Sequence, residues 1–235
     1  FIVSSMLVEA GKKVGLFTSP HLVSITERFQ VNHKKMSPLE FVECFGIVKE
    51  AVDRIMEKGY AHPTFFEMIF AIGMVYFHRQ NVEYIVLETG LGGRLDATNV
   101  ISKPWLTVIT EIGMDHMQYL GDTKVQITGE KAGIIKPGVP VVFAKRDLEC
   151  AQVIESYATK MGSLSYPVGK EDYIHQNLRN KSIDFSYKSS YYGYVRLHLQ
   201  TTAVYQIENA SLALRAYEVL KQGNWDVEKV RETLK

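Results

Sequence analysis

The stretch YIVLETGLGGRLDATNVI, residues 84–101, constrains this chain more than any other. It opens with Tyr84 to Leu87, a short apolar run between polar boundaries, which reads as a buried strand. The strand ends on Glu88 and passes into a loop carrying Gly90, Gly92 and Gly93, followed by Arg94, Asp96, Thr98 and Asn99. A carboxylate at the C-terminal tip of a buried strand, next to a glycine loop, is where open α/β sheets place their ligands. Glu88 is therefore a candidate ligand for a divalent cation. A dinucleotide loop fits poorly. GLGG lacks the third glycine of G-x-G-x-x-G, and Asp96 stands too close to be a ribose-binding acid about 20 residues further on.

The rest of the chain alternates strands and helices around this stretch. Residues 1–10 read as a helix closed by Gly11, and Lys13 to Phe17 as a strand. Ser37-Pro38-Leu39-Glu40 is a capping box with proline at the first helical position, and its helix runs to about Lys58. Thr64-Phe65-Phe66-Glu67 fits a second capping box and starts a helix through about Arg79. Trp105 to Ile109 and Val139 to Ala144 read as further buried strands, and Leu148 to Lys160 as a helix. From Leu164 to Leu199 the texture changes to short alternating runs, Ile183–Tyr187 and Tyr194–Leu199, with a hairpin turn at Tyr191-Tyr192-Gly193. Helices follow from Gln206 to about Leu220 and from Val227 to Leu234. The expected fold is α/β, a mostly parallel sheet flanked by helices, with a small antiparallel β appendage over residues 164–200.

Composition narrows the class. At 46% hydrophobic and 23% charged, the 235 residues match an ordinary globular protein rather than a disordered one. A net charge of +1 argues against a broad nucleic-acid face. Cys44 and Cys150 are too few and too far apart for a disulfide framework, which points to a reducing, cytoplasmic setting. The longest apolar run, Met68 to Phe77, is too short to span a bilayer, so no membrane partner is expected.

Residues 86–101 resemble a signature of the folylpolyglutamate synthases and dihydrofolate synthases, members of the Mur ligase superfamily. Further stretches share the resemblance in the family's order: Thr18-Ser19-Pro20-His21-Leu22, Thr64 to Glu67, Gly113-Met114-Asp115-His116, Lys131 to Lys136 (KAGIIK) and Gln206-Ile207-Glu208-Asn209-Ala210. The copy departs from the superfamily pattern at Tyr205, where histidine is usual, and at Ala203, near an expected glycine. The phosphate-binding loop G-T-N-G-K-G-[ST] has no counterpart in these residues. By motif order it falls just before Phe1, and the family's C-terminal domain falls after Lys235. The resemblance therefore implies that residues 1–235 are a central ATP-binding ligase domain of this family, the Mur ligase central domain with its P-loop NTPase-like fold, with little ligase activity alone.

The resemblance also implies site residues. Ser19, Glu88 and His116 are the metal ligands, meeting along one sheet edge, with Mg2+ at two sites. Taken on ligand chemistry alone, a histidine ligand favours Mn2+ or Zn2+; Mg2+ comes from the family. Lys131 is the lysine that carries a carbamate beside the metal and, with Glu88 and His116, forms the catalytic group. Thr64, Phe65, Phe66 and Glu67, with Leu95, Asp96 and Ala97, border the pteridine, and Asp96 accepts hydrogen bonds from its amino groups. Asn209 contacts adenine. The implied partners are ATP, L-glutamate and folate or dihydropteroate, and the implied state is a monomer. Two rival readings stay open: a non-catalytic fragment that keeps a pterin pocket, and a Mur-type peptidoglycan ligase.

Overall fold

Helix starts in this chain are written into side chains that satisfy their own first amides. Ser37 and Glu40, Thr64 and Glu67, and Thr123 and Gln126 each form a reciprocal capping box, and Asp147 and Asp226 cap two further helices. The computed structural model describes residues 1–179 and 181–234; Asn180, inside the expected appendage, and Lys235 lie outside the described residues. The elements divide between two compact units: Val3–Leu91 with Asp96–Val100, and Gly92–Leu95 with Ile101–Lys235.

The first unit holds α1 (Ile2–Glu9), β1 (Val14–Phe17), β2 (Phe29–Val31), β3 (Lys34–Lys35), α2 (Pro38–Glu57), α3 (Phe65–Arg79) and β4 (Tyr84–Leu87). Its sheet has the order β3-β2-β1-β4. β1 and β4 run parallel, with Phe17 opposite Leu87, whereas β2 and β3 are antiparallel. Phe17, Phe29, Ile72 and Phe77 are fully buried and form the core under α3. Tyr84–Leu87 is the expected strand, yet it is only partly covered, because it is the last strand of this sheet; Ile85 is exposed. The hairpin Phe29–Lys35 has no counterpart in the pattern reading. Its turn, Asn32-His33, has both residues at positive φ, a hairpin geometry usually marked by glycine.

The second unit holds β5 (Thr107–Ile109), α4 (Met117–Leu120), α5 (Lys124–Ala132), β6 (Val141–Ala144), α6 (Leu148–Lys160), β7 (Ser165–Val168), β8 (Tyr173–Arg179), β9 (Ser182–Ser189), β10 (Gly193–Leu199), α7 (Tyr205–Lys221) and α8 (Val227–Thr233). β5, β6 and β7 form a parallel sheet, and β10, β9 and β8 an antiparallel one. The α/β class with an antiparallel sheet is thus the observed one. Boundaries differ from the reading of the sequence, among them the start of β6 at Val141 rather than Val139. Trp105 is exposed and precedes a strand that starts at Thr107. Ser165–Val168 pairs parallel with β6, so the antiparallel sheet begins at Tyr173 and not near Leu164. An alternating four-residue run carries no signal for which neighbour it joins.

The buried carboxylate of Glu218 ties α7 to β9. It accepts hydrogen bonds from the Tyr187 hydroxyl at 2.7 Å and from the Ser189 hydroxyl, and the Arg215 guanidinium lies 3.5 Å away. Arg215 also pairs with Asp172 at 3.1 Å. Burial, reinforced by Glu218, pushes the Tyr187 phenol well above its usual range. Removing Glu218 strands a mostly buried guanidinium between the Ser190 hydroxyl and one remaining acid, Asp172. Glu218→Ala is therefore expected to cost about 3 kcal/mol and Glu218→Gln about 1 kcal/mol, read as a fall in the urea-unfolding free energy.

Candidate active site

In the first unit, the parallel pairing of β1 with β4 brings two strand ends side by side. The Glu88 amide donates to the Phe17 carbonyl at 3.0 Å, extending the ladder by one residue. The Ser19 amide in turn donates to Glu88 Oε2 at 3.0 Å. Two candidate ligands, 69 residues apart in sequence, are therefore held together by backbone geometry. Glu88 is exposed and its Oε1 is not engaged by this bond, and the Ser19 side chain is half-buried. This pair of hard oxygen donors fits Mg2+, which binds through one or two carboxylates and keeps several waters. Among the described residues no three His, Cys, Asp or Glu side chains gather into a cluster that could hold a metal by themselves.

The segment that follows Ser19 is tied down by Glu27 and Arg28. Glu27 accepts from the backbone amides of Leu22, Val23 and Ser24 at 3.0, 3.4 and 3.4 Å, and pairs with Lys35 at 3.3 Å. These contacts, the Leu22 amide foremost, hold its carboxyl at about 2. Arg28 is buried; its Nε donates to His21 Nδ1 at 2.9 Å. Burial lowers the Arg28 pKa, and the Glu88 carboxylate works in the opposite sense.

The TFFE segment and the glycine loop meet within the same unit. Thr64 and Glu67 form the helix cap, with the Thr64 amide and hydroxyl donating to Glu67 Oε2 at 2.7 and 2.8 Å. These two bonds hold the Glu67 carboxyl below its ordinary range. Phe65 is exposed, whereas Phe66 turns inward and packs on Phe17, ring centroids 5.9 Å apart. A Cβ at Gly90 would lie 2.5 Å from the Phe66 ring, so the loop lies directly on that side chain. Asp96 is the loop's own fastening. Its Oδ2 accepts from the amides of Gly90 and Leu91 at 2.9 Å each, and its Oδ1 from the Thr98 amide at 2.9 Å and hydroxyl at 2.5 Å. Four donors occupy the acceptor sites of one carboxylate. The residue expected to meet a ligand's amino groups thus organises its loop first. Ala97 is half-buried beside it.

The remaining candidates belong to the second unit. His116 has left-handed backbone angles, φ 52° and ψ 37°, and its amide donates to Asp115 Oδ1 at 2.8 Å. Its side chain is exposed. Non-glycine residues in this conformation are uncommon and recur at functional sites. Lys131 lies half-buried in the last turn of α5. Gly93 packs on that turn: a Cβ there would lie 2.8 Å from the Glu130 carbonyl and 2.9 Å from the Lys131 carbonyl. The Arg94 amide donates to the Glu130 carbonyl at 2.8 Å, and its guanidinium grips the Glu130 carboxylate at 3.0–3.2 Å. Leu95 is exposed.

Asn209 stands in the first turns of α7, its amide donating to Gln206 Oε1 at 3.0 Å. It lines a cavity of about 280 Å³ with Thr110, Glu111, Ala144, Tyr205, Glu208 and Leu212. Glu111 accepts from Arg146 at 2.9 Å. Burial and then Glu111 push the Glu208 carboxyl above its usual range. Motif reading reached Asn209 but not Thr110, Glu111 and Ala144, which reach the cavity only because β5 and β6 are adjacent and end at the same level.

Glu27 has a testable pH signature. Its folded-state pKa of about 2 lies below the unfolded value of 4.5, so its contribution is complete above pH 4.5 and is lost as the pH falls towards 2. Urea midpoints of wild type and Glu27→Gln should therefore differ most at pH 5–7 and converge only as the pH falls to about 2.

The Mur ligase middle domain matches residues 46–217. The dihydrofolate synthase/folylpolyglutamate synthase of Bacillus subtilis is 38% identical over 224 residues, covering 94% of this chain and 52% of that protein. The folylpolyglutamate synthase of Lacticaseibacillus casei is 31% identical over 226 residues, covering 95% and 53%. The solved folylpolyglutamate synthase of Thermotoga maritima has a TM-score of 0.88 at 33% identity, covering 99% of this chain and 53% of its own. A solved FPGS–AMPPCP complex has a TM-score of 0.93 at 29% identity, covering 99% and 59%. An FPGS–AMPPCP–folate complex gives 0.92 at 29%, covering 99% and 58%. The chain spans about half the length of the curated relatives it matches. It belongs to the Mur ligase family, as a middle domain of the folylpolyglutamate synthase and dihydrofolate synthase branch.

Proposed function

We propose that these residues form the central part of an ATP-dependent ligase that joins L-glutamate to a folate or dihydropteroate carboxylate. The observation that carries this reading is the Ser19–Glu88 pair, joined at 3.0 Å at the ends of two parallel strands. Such a ligase must bring a triphosphate and a carboxylate together, two anions that repel, and so needs positive charge held at a fixed point. Mg2+ supplies that charge when bound, with Ser19 and Glu88 as ligands at one site and His116 at a second. ATP transfers its terminal phosphoryl group to the carboxylate. The amine of glutamate then attacks the acyl phosphate and releases phosphate.

The chain's own residues position and shield. Asn209 and its cavity hold the adenine; an amide on a partly apolar wall suits a flat base with polar edges. Phe65 and Phe66, with Thr64 and Glu67, and Leu95, Asp96 and Ala97 border the pteridine. Phe65 offers an exposed ring to it, and Asp96 fixes the backbone of Gly90 and Leu91. Lys131, carbamylated, orients the metal's surroundings from the end of α5. The protein works as a monomer in the cytoplasm.

In the protein that carries these residues, phosphate release should require ATP, L-glutamate and either dihydropteroate or a folate together. Glu88→Gln keeps the Ser19 amide bond but weakens the charge that holds the cation. It should lower kcat by about two orders of magnitude, the scale of losing one preorganised electrostatic group. Release that is insensitive to Glu88→Gln, or that needs a peptidoglycan precursor in place of a folate, would refute the proposal.

A further inference from the structure

We propose that Arg28 is a positioning residue for the cation site, clamping the segment that carries Ser19 from both ends. The inference rests on the reading of Ser19 and Glu88 as cation ligands. It stands on three observations.

First, Arg28 holds both sides of Ser19 with two different groups. Its backbone carbonyl accepts the amide of Thr18 at 3.0 Å, and its guanidinium Nε donates to the ring of His21 at 2.9 Å. One residue before and two residues after Ser19 are thereby fixed to a single point. The Ser19 amide itself is taken by Glu88. A four-residue segment with three anchors has little freedom left, so the Ser19 backbone is fixed beside the Glu88 carboxylate before any ligand arrives. Preorganisation of this kind improves affinity by removing the ordering cost from the binding step.

Second, Arg28 is buried without being consumed. It is 7% exposed, and its Nη1 is buried with no partner among the described residues. A buried cation lacking a complete set of acceptors costs the fold stability, and a positioning role accounts for its retention. A packing role alone would be met by methionine at lower cost.

Third, the hydrogen bond from Arg28 at 2.9 Å fixes the orientation of the His21 ring. His21 is then held by Arg28 rather than being a free side chain.

The test uses the protein that carries these residues and Mn2+ as probe, with free Mn2+ read by electron paramagnetic resonance. Wild type should bind Mn2+, and Glu88→Gln should not at the same site. Arg28→Met should weaken Mn2+ binding at that site about tenfold while its urea midpoint stays at or above the wild-type value. Arg28→Lys, which can still donate to His21, should recover part of the loss. His21→Ala removes the same guanidinium contact from its other side and, like Arg28→Met, keeps the backbone carbonyl of residue 28 that holds Thr18; it should weaken binding in the same direction, and it carries the test should Arg28→Met not fold. The metal-free amides of Thr18 and Ser19 should exchange faster in Arg28→Met and His21→Ala, a readout that needs no cation. Wild-type Mn2+ binding with unchanged affinity and unchanged amide exchange in both variants would overturn the clamp and leave the cation reading intact. Wild type that binds no more Mn2+ than Glu88→Gln would overturn the cation reading itself.

Discussion

The parallel pairing of Val14–Phe17 with Tyr84–Leu87 is the constraint on which the first half of the site depends. Parallel strands end at the same level, so whatever follows each one is delivered to the same rim. Here the delivery is literal: the last ladder bond joins Glu88 to Phe17, and the next joins Ser19 to Glu88. Slippage of one residue would turn every side chain of the strand to the other face and separate the two oxygens. The fully buried residues of β1 hold that register by packing, and the site inherits its precision from the core.

Around this pair the chain uses carboxylates mainly to organise backbone. Glu27 collects three amides of the loop after Ser19, Asp96 collects two amides of the glycine loop and both groups of Thr98, and Glu67 closes the start of α3. Each of these acids spends its charge on donors close in sequence. Glu88 is different: the bond it accepts comes from Ser19, 69 residues away, and its side chain is exposed.

Much of this was legible in the sequence. The capping boxes at Ser37 and Thr64 marked their helices to the residue, because the cap and the third helical position are both local. The strand at Tyr84 and the glycine loop were likewise legible from a short apolar run and a cluster of glycines. What escaped depends on partners far along the chain. Nothing within Ser165–Val168 says that it joins Val141–Ala144 in parallel rather than the antiparallel sheet. Nothing local marks Arg28 as buried, or Asp96 as fully engaged by its own loop. Thr110, Glu111 and Ala144 reach one cavity through strand adjacency, which no single motif encodes.

Helix α7 carries a consequence of its own. Asn209 and Glu218 sit nine residues apart on one continuous helix, about 14 Å at the usual rise per residue. One end faces the cavity and the other is bolted into β9 by a buried acid. A stiff rod fixed at one end transmits any twist there to the other. The antiparallel sheet, which holds no candidate ligand, thereby sets the angle at which Asn209 enters the cavity, and drift in its packing would re-aim that amide without substituting any residue of the cavity wall.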